Sequence, residues 1–208
     1  MATVLYIECS PRKNRSSSIK VASAFIEAYK KTHPKDSVKT LRLFEMELPA
    51  FDGFTIQAKY TIMHGGHPAA EEKQAWSRVE AVIDEFKSAD KYLFSVPMWN
   101  FGIPYKLKHY IDVLVQPGYT FRVGDKGYEG LVTGKPVLAV YARGGQYGEG
   151  SPAAAMDMQK RYIEQIFRFI GFTDIRSILV ESTLGGRQSE ENSVQEGIRL
   201  AGQMAAGF

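Results

Sequence analysis

Five short apolar runs divide the chain, each bounded by turn-forming residues: 3–7, 38–43, 91–96, 137–141 and 175–180. The first, third and fourth are almost continuously apolar, as expected for parallel strands covered on both faces. Helical spacing fills the gaps. Ile19, Ala22, Ile26 and Tyr29 form one stripe, and Trp76, Val79, Ile83 and Phe86 another. Leu107, Tyr110, Ile111 and Leu114 follow Pro104. Ile163, Ile166, Phe167 and Ile170 are closed by Gly171, and 189–204 reads as a last helix with Glu190 and Glu191 in its first turn. Strand alternating with helix five times predicts a three-layer α/β domain. Two stretches break the rhythm and read as long connections: 44–70, with Phe51, Phe54, Tyr60, His64 and His67, and 116–134, with Tyr119, Phe121 and Tyr128 among glycines. Connections this long carry a function or an interface in a compact domain.

Composition narrows the possibilities. The 208 residues, 44% hydrophobic and 24% charged, suit one globular domain spanning 1–208. The net charge is +3, and the lysines and arginines are scattered rather than blocked, which argues against nucleic acid and for a small anionic ligand. A single cysteine, Cys9, excludes an intrachain disulfide and a cysteine-rich zinc site. No run reaches the length of a membrane span, and the N-terminal apolar run meets Glu8 too soon for a signal peptide. A cytoplasmic protein is expected.

Parallel strands place their carboxyl ends on one edge, so the loops after the first, third and fourth runs should meet there. The first loop holds Ser10, Arg12, Lys13, Arg15 and Ser16 to Ser18 and opens a helix. Free N–H groups and the helix dipole favour a phosphate there. It has neither the Gly-Lys-Ser/Thr ending of a Walker loop nor the spaced glycines of a dinucleotide fingerprint. A phosphate monoester fits better than ATP. The second loop runs Pro97, Met98, Trp99, Asn100, Phe101, a flat sulfur-aromatic surface with an amide. The third, Ala142, Arg143, Gly144, Gly145, lets the backbone approach a ligand closely. Each has an ordinary structural explanation: a capped turn, core packing, a glycine bend. Jointly they imply a mononucleotide with a planar ring, FMN.

These residues carry a resemblance. The serine loop, the 97–101 block, Lys106 to Lys108, Gly118 to Arg122, Glu129 to Lys135 and Arg143 to Gly145 resemble the FMN-dependent NADH-azoreductases, a branch of the flavodoxin-like NAD(P)H:quinone oxidoreductases. The resemblance runs nearly end to end. It implies a flavodoxin-like fold, a five-stranded parallel sheet of order 2-1-3-4-5, and a homodimer with its active sites at the interface. It implies bound FMN reduced by NADH or NADPH in a ping-pong reaction with a quinone or azo acceptor. Ser10, Ser16, Ser17 and Ser18 would hold the phosphate. Pro97, Met98, Trp99, Asn100 and Phe101 would line the ring, and Ala142, Arg143, Gly144 and Gly145 its other edge. Phe54, Tyr60, Tyr119 and Phe121 are candidates for the pocket wall, whether from the same chain or a partner. No catalytic acid or base is expected, since His64 and His67 read as solvated loop residues. The chain departs from the family pattern at Trp99, where tyrosine is frequent, and at Ala142, where serine is frequent. A flavodoxin-type electron carrier, a flavin-free nucleotide-binding protein and a nitroaromatic or flavin reductase are the competing readings.

Overall fold

The computed structural model describes residues 1–208. Five parallel strands form the sheet: β1 (Thr3–Glu8), β2 (Ser37–Arg42), β3 (Lys91–Pro97), β6 (Val137–Ala142) and β7 (Ile175–Val180). Their order is β2-β1-β3-β6-β7. A separate antiparallel hairpin, β4 (Phe121–Gly124) and β5 (Gly127–Gly130), accounts for the intervening numbers. The sheet order is therefore the expected 2-1-3-4-5.

The near-continuous apolar runs divide between two cores with a period of two. Leu5, Ile7, Tyr92, Phe94, Val96, Ala139 and Tyr141 pack on the side of α3 (Ala70–Lys87), α4 (Tyr105–Leu114) and α5 (Lys160–Ile170). Val4, Tyr6, Leu93, Leu138, Val140 and Ala142 pack on α1 (Ser17–Thr32) and α6 (Arg187–Ala205). Both faces are covered, which is why polar alternation is absent from the central strands.

Helix ends follow local chemistry. The Asp157 carboxylate accepts the N–H groups of Gln159 and Lys160 ahead of α5. Gly171, at φ 115°, ends that helix in a left-handed conformation that glycine tolerates. A Cβ on Gly130 would collide with the Gly171 backbone, so the two glycines let the hairpin seat against the end of α5.

Both long connections contain structure the sequence pattern did not reveal. Within 44–70 lies α2 (Gly53–Met63), capped by Asp52 through the N–H groups of Phe54 and Thr55. Only Thr55 and Ala58 are buried on it, so it has no apolar stripe to betray a helix. The hairpin sits within 116–134. No helix is long and apolar enough to cross a membrane.

Candidate flavin site at the carboxyl edge of the sheet

The loops after β1, β3 and β6 line one edge, because those strands are neighbours in the sheet. The chain passes from β1 to β2 on one side and returns to β3 on the other, so the crevice lies at the topological switch point.

The serine loop is buried at its end. Ser10, Ser16, Ser17 and Ser18 are all at most 5% exposed. Ser16 precedes α1 without capping it, and its hydroxyl pairs instead with that of Ser18 at 3.1 Å. The N–H groups of Ser17, Ser18 and Ile19 find no acceptor within the chain; the first backbone bond of the helix comes from Lys20. Three buried donors at the positive end of a sixteen-residue helix are complementary to a phosphate. The Ser17 hydroxyl is turned away, donating to Glu190 at 2.8 Å, so only its backbone N–H faces that position.

The β3 loop is drawn against β6 by the Met98 N–H, which donates to the Ala142 carbonyl at 2.7 Å. Trp99 and Gly102 exchange backbone bonds of 3.1 and 2.9 Å, closing a two-residue turn over Asn100 (φ 48°) and Phe101 (φ 67°). Turns with both central residues left-handed favour Asn-Gly. Asn100 suits the first position, whereas Phe101 in the second stores strain of about 1–2 kcal/mol. Strain of this kind persists where the surroundings hold it. Here the Phe101 carbonyl accepts the Met158 N–H at 3.0 Å and its ring meets Tyr147 edge-on. Trp99 lies beside Phe44 and Tyr105, with ring centroids 5.7 and 6.3 Å away. A cleft of about 810 Å³ opens from Trp99 and Asn100 toward Phe51, Tyr105 and His109.

The β6 loop has its carbonyls satisfied and its N–H groups free. The carbonyls of Arg143, Gly144 and Gly145 accept from Thr183, Leu184 and Ser182. The Gly144 and Gly145 N–H groups have no acceptor. A Cβ on Gly144 would come within 2.7 Å of the exposed Leu184 side chain, which reaches over the loop from the β7–α6 connection. Arg143 differs from the expectation that it would border the cofactor. Its side chain is fully buried beneath the loop, paired with Asp157 at 2.9 Å and Glu181 at 3.3 Å. Ala142 is buried among the α1 and α6 contacts.

The expected pocket-wall residues divide. Phe54 and Tyr60 lie on α2, each about half exposed, with the Tyr60 ring stacked near His64. Phe54 is on the first turn of α2, just after the cleft residues Phe51 and Asp52. Tyr119 and Phe121 lie at the opposite edge of the sheet, because α4 carries the chain back to the amino ends of the strands. Tyr119 donates to Glu80 at 2.6 Å and accepts from Trp76. Phe121 packs on Phe169 and Tyr128. Within one chain neither joins the site.

Sequence reasoning missed Asp157, Glu181 and Glu190. Their signals were position only: an acid six residues ahead of a helical stripe, an acid directly after a strand, and an acid in a helix's first turn. Glu8 ends β1 beside the serine loop at 9% exposure. Burial raises its carboxyl above the usual range, with Arg42 at 4.0 Å and Lys13 opposing and Glu45 reinforcing the shift. A raised carboxylate pKa means stability that is present at low pH and lost as pH rises through the folded-state value. Glu8→Gln should therefore raise the melting temperature at pH 7 to 8, and the gain should fade below about pH 4. Thermal unfolding of both forms across that range checks it; a gain that is constant with pH would show that ionisation is not its source.

Comparison with known proteins agrees with this geometry. The profile of a family described as flavodoxin-like fold matches residues 2–203. A protein of Nitratidesulfovibrio vulgaris named FMN-dependent NADH:quinone oxidoreductase is 48% identical over 209 residues, covering all of both chains. One of the same name from Desulfotalea psychrophila is 48% identical, covering 92% of this chain and 90% of that one. Among solved structures, an azoreductase from Bacillus anthracis superposes with a TM-score of 0.92 at 32% identity, covering both chains completely. An FMN-dependent NADH-azoreductase from the same species, solved in complex with FMN, gives a TM-score of 0.88 at 27% identity, covering 99% of this chain and all of that one. The chain belongs to the flavodoxin-like family, among the relatives named FMN-dependent NADH:quinone oxidoreductases.

Proposed function

We infer that this protein is an FMN-dependent NADH oxidoreductase that reduces quinones and aromatic azo compounds by two-electron ping-pong transfer. The observation that carries the reading is the unpartnered N–H set of Ser17, Ser18 and Ile19, on the same edge as the free Gly144 and Gly145 donors. The first set suits the phosphate of FMN and the second the carbonyl edge of its ring. When bound, FMN supplies the hydride and electron chemistry, which no protein side chain provides. Ser16, Ser18 and the first turn of α1 bind the phosphate. Pro97 to Phe101 form one wall of the ring site, and the Asn100–Phe101 turn holds that wall in place. The Gly144 and Gly145 N–H groups favour negative charge at the ring's far edge. No side chain in the three loops is assigned a proton-transfer role, and His64 and His67 are exposed on the α2–α3 connection.

The cleft beside Trp99 favours an enzyme with its own acceptor over an electron carrier. The active unit in this reading is a homodimer. The partly exposed Phe121, Tyr128 and Phe169 cluster supports it, since aromatic surface at the end of a hairpin suits burial by a second copy. A cytoplasmic location belongs to the same reading.

Purified protein should be yellow, and its flavin absorbance should bleach anaerobically on adding NADH and return on adding a quinone. Protein that takes up no FMN refutes the reading. Protein that binds FMN yet is not reduced by NADH supports the carrier instead.

A further inference from the structure

Beneath the glycine loop lies a charged cluster drawn from three elements. The Arg143 side chain, from the end of β6, is fully buried. Its Nη1 lies 2.9 Å from Asp157 Oδ2 as an ion pair and donates to Glu181 Oε1 at 3.3 Å. Two carboxylates share one guanidinium, which leaves an excess of one negative charge within the triad, while Lys160, Arg161 and Arg168 line the same cavity with Glu149 and Glu164. The Arg143 Nε and Nη2 atoms find no acceptor. Unmet buried donors are costly, so the arrangement is held by something other than its own hydrogen bonds.

Every member of the cluster is tied to a cofactor loop. Glu181 Oε1 also accepts the Tyr147 N–H at 2.7 Å, which anchors the far end of the Arg143–Tyr147 turn. Asp157 Oδ1 accepts the Gln159 N–H at 3.0 Å. The Gln159 side chain, fully buried, donates to the Val96 carbonyl at 2.9 Å, directly before Pro97. Met158, between them, donates to Phe101. One buried cluster thus reaches both the glycine donors and the ring wall.

We propose that Glu181 and Asp157 are positioning residues for FMN: with Arg143 they fix the Gly144 and Gly145 N–H groups, and their excess negative charge lowers the reduction potential of the bound cofactor. The proposal rests on the FMN reading above. The physical reason is differential. Reduction places more electron density on the ring, and nearby negative charge opposes it. Water screens the interaction least at Arg143 and Asp157, which are buried, and more at Glu181, whose side chain is 23% exposed. The loop donors act in the opposite direction, so the cluster positions them while moderating their effect.

Two substitutions at one position separate geometry from charge. Glu181→Gln keeps an oxygen for the Tyr147 N–H and removes the charge; Glu181→Ala removes both. Dissociation constants for oxidised and for reduced FMN, with the potential measured by dye equilibration, give the readout. Glu181→Gln should leave oxidised FMN binding within about threefold of the unaltered chain while favouring reduced FMN about tenfold. For a two-electron couple that is a rise of about 30 mV. Glu181→Ala should in addition weaken oxidised FMN about tenfold. Asp157→Asn should raise the potential in the same direction, and it carries the test alone if the Glu181 variants do not fold. A purely packing role would change both forms of FMN equally and leave the potential unmoved; an unmoved or lowered potential overturns the proposal. An unaltered chain that binds neither form refutes the FMN reading instead, before any variant is made.

Discussion

Ser16→Asp should weaken FMN binding about 100-fold without lowering the stability of the cofactor-free protein. Ser16 is buried at the start of α1, its hydroxyl facing Ser18 rather than capping the helix. An aspartate there is a good N-cap, and a carboxylate at a helix N-terminus is favourable by about 0.3–1 kcal/mol. The same carboxylate would take the Ser18 or Ile19 N–H groups that now have no acceptor, and it would repel a phosphate. A 100-fold loss is about 2.7 kcal/mol, within what one lost charge-assisted anchor plus repulsion supplies. Ser16→Ala should cost only a few-fold, because the backbone donors remain. Fluorescence titration with FMN and with riboflavin separates the causes. Riboflavin lacks the phosphate, and its affinity should change little. If Ser16→Asp binds FMN as the unaltered chain does, the phosphate is held elsewhere.

The fold was legible in the sequence where both faces of an element are buried. Continuous apolar runs gave β1, β3 and β6, and stripes ending at Gly171 or starting behind Pro104 gave α5 and α4 to within a few residues. It was illegible where burial is slight. α2 buries two small side chains and exposes Phe54, Tyr60 and Met63, so its pattern resembles a loop. The hairpin is four residues per strand, and its exposed tip leaves no alternation to read.

The site was legible as backbone chemistry and less so as side chains. Serines before a helix and paired glycines after a strand report on N–H groups, and those groups lie free where expected. Arg143 shows the limit. A basic residue beside two glycines at a ligand-binding edge invites assignment to an anionic ligand. Its alternation along β6 sends the side chain to the α5 side instead, the same side as Tyr141. What decides between those outcomes is the pair of acids waiting there, which are 14 and 38 residues away along the chain. Tyr119 and Phe121 stand apart from the site of their own chain for a related reason. Their aromatic character is real, but α4 returns the chain to the wrong edge before they occur.

Arg143→Met should lower the melting temperature by about 10 °C. Removing one partner of a buried ion pair costs about 3–5 kcal/mol, because the other charge is left buried and unpaired. Here two carboxylates are left, one of them on a residue only 6% exposed. For a chain of this length each kcal/mol moves the transition by about 2–4 °C. Melting curves of the variant and the unaltered chain at pH 7 should show the loss. Adding Asp157→Asn and Glu181→Gln to Arg143→Met should recover most of the loss, since neutral groups of the same shape remove the unpaired charge. A sum of separate losses instead of recovery would mean that the three residues act independently. A deficit under about 1 kcal/mol would show that water reaches the cluster, because only a solvated ion pair contributes so little.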